Sequence, residues 1–396
     1  MKYVIADDLT GANDTAIQFR NLGYSVIVPL DVDFSQEVYL ADVIAVNTDS
    51  REMTPVESYR TVQDSAKAFA LASQRDVYKK IDSMLRGNPG SEIEALADYL
   101  KASLIFIVPA FPSNGRIIRD GLLITENHAP LDVVALISSQ MRRSVASVPA
   151  ADLDTEELLS VVLSKAREGI EVFVFDTAEN SDLDKIAQVA KKLPEYPLCA
   201  GSAAFALHWA DRHSANFDAR QRKPAPAVVV VAGSISRTTK AQILKTVADF
   251  GVEPVVFNCK TKDVKGETNR CVGELSVQIR TASVAILTVS SLFDSRFASD
   301  GQQKVISDSL GKIVKRAYQG DKVGGFILTG GDTALKVARE LGAHGIYPEQ
   351  ELFPGIPFGY LAGGVADGKG VVTKSGGFGT PEVISAYVRF MNGGLK

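Results

Sequence analysis

The chain has 396 residues, of which 45% are hydrophobic and 23% charged, an ordinary globular composition long enough for two domains. Its net charge of −4 argues against a nucleic-acid backbone as the main ligand, and no apolar run approaches the ~20 residues of a membrane span. Cys199, Cys259 and Cys271 lack close spacing and the four histidines are scattered, which excludes a disulfide framework and a histidine- or cysteine-rich metal centre.

The N-terminus runs straight into an apolar strand with no basic region or long apolar segment, so a cytoplasmic protein is expected. From there to about residue 210, short apolar runs alternate with amphipathic segments, the pattern of βαβ units on a mainly parallel sheet. The spacing predicts strands at 3–6, 25–29, 43–47, 77–80, 104–108, 172–175 and 197–200. Helices are predicted at 12–22, 55–73, 91–101, 155–168, 182–192 and 203–211. The stretch 114–125 has a glycine at each of two turns and reads as a hairpin or lid.

Charges and two prolines mark 218–226 as a linker between an N-terminal domain, 1–217, and a C-terminal domain, 227–396. The second domain repeats the α/β alternation. Its strands are predicted at 228–232, 254–257, 285–289, 325–328, 360–362 and 370–373, with helices at 237–250, 302–318, 333–341 and 381–391. The expected fold class is α/β, two domains with mainly parallel sheets and a cleft between them.

In such sheets, ligands gather at the carboxyl ends of strands. The first strand ends in Asp7 and Asp8, followed by a Thr10-Gly11 turn. Phosphatases of the haloacid-dehalogenase type separate two aspartates by one residue; here they are adjacent and would face opposite sides of the strand, so that reading is rejected. Adjacent acids can still grip a polyol, or one can act as a base toward a hydroxyl. The next polar exit is Asn47 to Arg51, where Arg51 offers a forked donor for a carboxylate or phosphate. The third runs from Lys79 to Gly90 and leads to a helix that Ser91 and Glu92 are expected to cap. An acidic substrate fits it, with Lys80 and Arg86 neutralising charge while Asp82 and Ser83 bond hydroxyls.

The second domain carries three glycine-containing turns between a strand and a helix: Gly233-Ser234, Gly330-Gly331-Asp332-Thr333 and Ser375-Gly376-Gly377. Glycines admit a phosphate close to the backbone, and helix-start amides favour anions. None matches a Walker A loop, since Lys374 precedes its glycines.

Together the segments IADDLTGANDTA, NTDSR, KKIDSMLRGNPGSEIEAL, GSISRTT, TGGDTA, PGIPFG and TKSGGFG resemble the four-carbon acid sugar kinase family, over residues 5 to 379. The resemblance implies ATP-dependent phosphorylation of the terminal hydroxyl of a sugar acid such as D-threonate or D-erythronate, with 3-oxo-tetronate as the alternative acceptor. Gly377 in the last segment looks more like the threonate and erythronate branch. The resemblance further implies that the N-terminal domain holds the sugar acid through Asp8, Arg51, Lys80, Ile81, Asp82 and Ser83. The C-terminal domain would hold ATP through Ser234, Gly330, Gly331, Asp332, Thr333 and Gly376.

The expected cofactors are ATP and Mg2+, with Asp332 a candidate metal ligand, and the general base is Asp8 or Asp82. Arg51 is assigned to the substrate carboxylate, and Lys80 to that carboxylate or the transferring phosphoryl group. The expected partner is a small sugar acid, with no nucleic acid or membrane, and a homo-oligomer is left open. A non-catalytic nucleotide or sugar-acid sensor on the same fold is the competing class. A metal-dependent aldolase or lyase would need clustered His and acidic ligands that the chain lacks.

Overall fold

Runs such as Lys2–Ala6 and Ala227–Ala232, rich in β-branched residues, form strands buried on both faces, as a parallel sheet between helices requires. The computed structural model describes residues 1–30, 40–126, 128–150, 153–213, 227–293 and 303–393. The expected linker 218–226 lies outside them. The chain divides into two compact units, the first holding the described residues up to 26 and from 40 to 213, the second those of 27–30 and from 227 onward.

The elements of the N-terminal half are β1 (Lys2–Ala6), α1 (Leu9–Asn21), β2 (Val26–Pro29), β3 (Val43–Asn47), α2 (Pro55–Ala68), β4 (Val77–Lys80), α3 (Pro89–Leu100) and β5 (Ile105–Val108). They continue with β6 (Ile117–Arg119), β7 (Leu122–Thr125), β8 (His128–Asp132), α4 (Val133–Gln140), β9 (Val145–Val148), α5 (Thr155–Arg167), β10 (Val172–Phe175), α6 (Asn180–Lys192), β11 (Leu198–Gly201) and α7 (Ala203–Trp209). In the first unit the strand order is β3-β1-β4-β11-β5-β10-β9, and every pairing is parallel. Phe106 meets both Phe173 and Phe175 edge-on in its core.

The C-terminal half contains β12 (Ala227–Ala232), α8 (Arg237–Phe250), β13 (Val255–Phe257), α9 (Val264–Thr281), β14 (Val284–Val289), α10 (Gln303–Ala317) and β15 (Val323–Thr329). It ends with α11 (Gly331–Glu340), β16 (Gly345–Phe353), β17 (Ile356–Ala362), β18 (Gly370–Lys374) and α12 (Val383–Met391). In the second unit β13-β14-β12-β15-β18 run parallel, and β17, β16 and β2 continue antiparallel. Segment 27–30 is stitched in by Leu30, whose amide donates to the His344 carbonyl at 2.9 Å and whose carbonyl accepts both Nε and Nη2 of Arg339.

The predicted strands lie within a few residues of the observed ones, and several helix ends differ for identifiable reasons. α1 begins at Leu9 rather than residue 12, because Asp8 caps it by accepting the Gly11 amide at 2.7 Å, drawing Thr10-Gly11 into the first turn. α2 stops at Ala68, and Ala70 leaves the helical region with φ of 48°. α3 starts at Pro89, so Ser91 and Glu92 lie in its first turn rather than at its cap. Among the elements the pattern did not reveal, α9 carries Gly266 and Gly273, which weaken a helical signal, and β16 carries Pro348 in a half-exposed strand. The 114–125 stretch is a hairpin that β8 extends to three strands. It is pinned where Ile118 and Thr177 exchange backbone bonds and where the Asp176 carboxylate accepts the amides of Asp120 and Gly121, each at 2.9 Å.

Candidate active site

Three adjacent strands of the first unit end level. Ala6 of β1 pairs with Asn47 of β3 on one side and Lys80 of β4 on the other, so the next residues of all three leave the sheet together. This brings together Asp7-Asp8, Thr48 to Arg51 and Ile81 to Ser83, as the polar exits predict.

Arg51 is the hub of the cluster. Its Nε and Nη2 fork onto the two oxygens of Asp7 at 2.7 and 2.9 Å, and its Nη1 donates to Asp8 Oδ2 at 2.6 Å. Asp82 Oδ1 is 3.9 Å from Nη2. A guanidinium has five N–H groups, so one hydrogen on each terminal nitrogen is left for a ligand. Burial opposes the Arg51 charge, but Asp8, Asp7 and Asp82 raise its pKa well above the usual arginine value. Burial pushes Asp7 up, yet Arg51, Lys79 and Lys80 together hold it below the ordinary carboxylate value.

Asp8 accepts from Arg51, from the Gly11 amide and from the Thr10 hydroxyl at 2.6 Å. Lys80 is buried, and its Nζ donates to the Ile81 carbonyl at 2.9 Å. Gly11 is needed beneath it: a Cβ there would lie 2.7 Å from Asp8 Oδ1 and 3.0 Å from Lys80 Nζ. Ile81 is buried, and its amide donates to the Gly201 carbonyl, so it supplies backbone rather than a side chain. Asp82 receives a fork from Arg86, at 2.7 Å from Nε and 2.9 Å from Nη2. Burial favours its neutral form, but that fork together with Arg51 and Lys80 keeps it ionised far below the usual range. Arg86, expected to face an acidic ligand, spends two of its five N–H groups on Asp82, and its half-exposed guanidinium keeps the other three. Ser83 accepts a hydrogen bond from Arg116, which arrives just before β6.

A buried layer lies under this cluster. Lys79 is fully buried; its Nζ forms an ion pair with Glu92 Oε2 at 2.7 Å and donates to Lys80 O at 2.9 Å and Ile5 O at 3.2 Å. Ser50 donates to Glu92 Oε1 at 2.7 Å and contacts Thr48 Oγ1 at 2.7 Å, and Thr48 donates to Ala6 O. Burial raises the Glu92 pKa, partly opposed by Lys79 and reinforced by Asp7. These contacts tie all three strand exits to the first turn of α3.

The second unit repeats the arrangement. Ala232 of β12 pairs with Thr329 of β15, which pairs with Lys374 of β18, so Gly233, Gly330 and Ser375 emerge side by side. Gly330 adopts φ of 95°, a region glycine enters freely, and opens α11. The turns pack so closely that a Cβ on Gly376 would lie 2.0 Å from Ser234 Oγ, and one on Gly233 1.9 Å from Thr333 Oγ1. Gly331 and exposed Asp332 form the first turn of α11 beside Thr333. Close-packed glycine turns, serine and threonine hydroxyls and the amide end of α11 are the donor set of a phosphate site. Among the described residues, no three His, Cys, Asp or Glu side chains cluster to cage a metal. A Mg2+ carried largely by phosphate oxygens, with one carboxylate, fits this donor set.

Comparison with known proteins gives matches over both halves. A sugar-binding N-terminal domain matches residues 2–209 and a nucleotide-binding C-terminal domain residues 229–384. A D-threonate kinase of Salmonella typhimurium is 31% identical over 96% of this chain and 96% of its own. A D-erythronate kinase of Heliobacterium modesticaldum is 29% identical over 98% and 96%. A 3-oxo-tetronate kinase of Brucella melitensis is 24% identical over 95% and 92%. A solved Haemophilus influenzae structure covers 98% of this chain and 100% of its own at 22% identity and a TM-score of 0.67, a likeness of fold.

Proposed function

The chain belongs to the four-carbon acid sugar kinase family, and from that membership we propose that it transfers the γ-phosphoryl group of ATP to the terminal hydroxyl of D-threonate or D-erythronate. The observation that carries this reading is the convergence of Asp8, Arg51, Lys80 and Asp82 where β3, β1 and β4 end level. Two hydrogens of Arg51 remain for a substrate carboxylate, and the chain offers buried lysine and aspartate beside them. A tetronate acceptor is favoured over a 3-oxo-tetronate by the higher identity to the threonate and erythronate kinases, 31% and 29% against 24%.

Phosphoryl transfer asks mainly for positioning and charge neutralisation. Arg51 and Lys80 hold the acid end of the acceptor. Asp82, kept strongly anionic by Arg86, is a weak proton acceptor and orients the cluster. Asp8 is left as the group that accepts the hydroxyl proton. In the second unit Ser234, Gly330, Gly331, Thr333 and Gly376 bind the phosphates of ATP, and Asp332 is the carboxylate offered to Mg2+. The metal supplies neutralisation of phosphoryl charge.

Nucleotide binding is directly measurable. ATP at a hundredfold excess over its Kd should stabilise the full-length chain by about 2.7 kcal/mol, read as a rise in Tm. A Tm unmoved by both ATP and ADP at millimolar concentration would contradict the assignment of the second unit.

A further inference from the structure

Lys374 ends β18, and its side chain is fully buried. Its Nζ donates to three carbonyls of the turn that follows it: Ser375 at 2.7 Å, Phe378 at 3.1 Å and Gly376 at 3.2 Å. Two of these carbonyls are also held from α8 and its capping residue Ser236. Gly376 O also accepts from Ser236 Oγ at 2.5 Å and Thr239 Oγ1 at 3.1 Å, and Phe378 O accepts from Gln242 Nε2 at 3.0 Å. A peptide plane whose oxygen is turned inward presents its N–H to the other side. The amides of Gly376 and Gly377 have no acceptor among the described residues, and the Gly377 side of the turn is open, with nothing within 4 Å of a Cβ built there.

We propose that Lys374 is a positioning residue for nucleotide binding: its ammonium gathers the turn's carbonyls inward, so that the Gly376 and Gly377 amides face the phosphates. It also places one positive charge behind them. This inference rests on the reading of the second unit as the ATP domain. The role differs from that of a Walker A lysine, which reaches the phosphates directly. Here the lysine lies behind the turn and acts through it.

A second property follows from its surroundings. Its neighbours are the turn's own carbonyls and, from α8, the neutral side chains of Ser236, Thr239 and Gln242. No charged group among the described residues perturbs it, and burial alone lowers its pKa to about 7. An anion bound at the turn favours the charged form, so binding should draw a proton onto Lys374 above neutral pH. The sign is that nucleotide affinity is greatest below pH 7 and falls as pH rises and the lysine must be recharged.

The test is calorimetric titration of the full-length chain with Mg-ADP, at pH 6.5 to 8.5 and in two buffers of different ionisation enthalpy. At pH 8 the wild-type protein should take up a substantial fraction of a proton per ADP bound. Lys374→Met should weaken ADP binding at least tenfold at pH 6.5, with a smaller deficit at pH 8.5, no proton uptake and an unchanged KM for the sugar acid. Lys374→Arg, permanently charged, should recover part of the affinity and remove the pH dependence. ADP binding without proton uptake in the wild type overturns the proposal, and so does a Lys374→Met deficit equal at all pH values. The wild-type measurement stands even where a variant does not fold. Failure of the wild type to bind ADP at all would instead overturn the nucleotide assignment of the second unit.

Discussion

Asp8→Asn is expected to lower kcat/KM by about 100- to 10,000-fold, the range for loss of a positioned general base. Asparagine keeps the shape of Asp8 and can still accept the Gly11 amide that caps α1, so the fold should persist. It cannot take a hydroxyl proton, and it gives up the charge paired with Arg51 Nη1 at 2.6 Å. The loss should fall mainly on kcat, because Lys80 and the two remaining hydrogens of Arg51 still hold the acid. Asp82→Asn should cost less, since Arg86 and Arg51 keep that carboxylate far below the range of an effective base. Steady-state kinetics on both variants decides the assignment. An Asp8→Asn loss below tenfold beside a larger Asp82→Asn loss would transfer the base to Asp82.

The second large effect is on stability. Lys79→Met should destabilise the protein by about 3–5 kcal/mol, the cost of stranding one partner of a buried ion pair. Glu92 is 1% exposed, and in the variant it would keep Ser50 as a donor but lose its cation. Burial already raises the Glu92 pKa, and without Lys79 that carboxyl should take up a proton more readily still. A carboxyl whose folded-state pKa is raised destabilises as pH rises through that value, so the Lys79→Met deficit should be larger at pH 8 than at pH 5. The double variant Lys79→Met/Glu92→Leu removes both charges and should recover most of the loss. Urea unfolding of the three variants at both pH values measures this. A deficit for Lys79→Met under 1 kcal/mol, or no recovery in the double variant, would show that the pair carries little of the strand-exit geometry.

Much of the architecture is legible in the sequence because a parallel sheet writes itself as short apolar runs. β1, β3, β4, β12 and β18 are each such a run ended by polar residues, and those endings are where both clusters lie. The partners of each residue are less legible. Asp7 and Arg51 are 44 positions apart, and their fork follows only once β1 and β3 are known to be neighbours in register. Glu92 reads as a helix-start acid, and nothing local indicates that it turns onto Lys79. Lys374 is read only as the lysine whose place before its glycines rules out a Walker A loop, because sequence order does not show that its side chain folds back under its own turn. α9 and β16 escape notice where Gly266, Gly273 and Pro348 interrupt an otherwise readable pattern.

The central claim, a kinase acting on a four-carbon sugar acid, is tested most directly by coupled ADP release over D-threonate, L-threonate, D-erythronate and 3-oxo-tetronates with Mg-ATP. ADP release should depend on D-threonate or D-erythronate and be largely lost in Asp8→Asn. ADP release no higher with any of these acids than with ATP alone, from a protein that binds nucleotide, would contradict it.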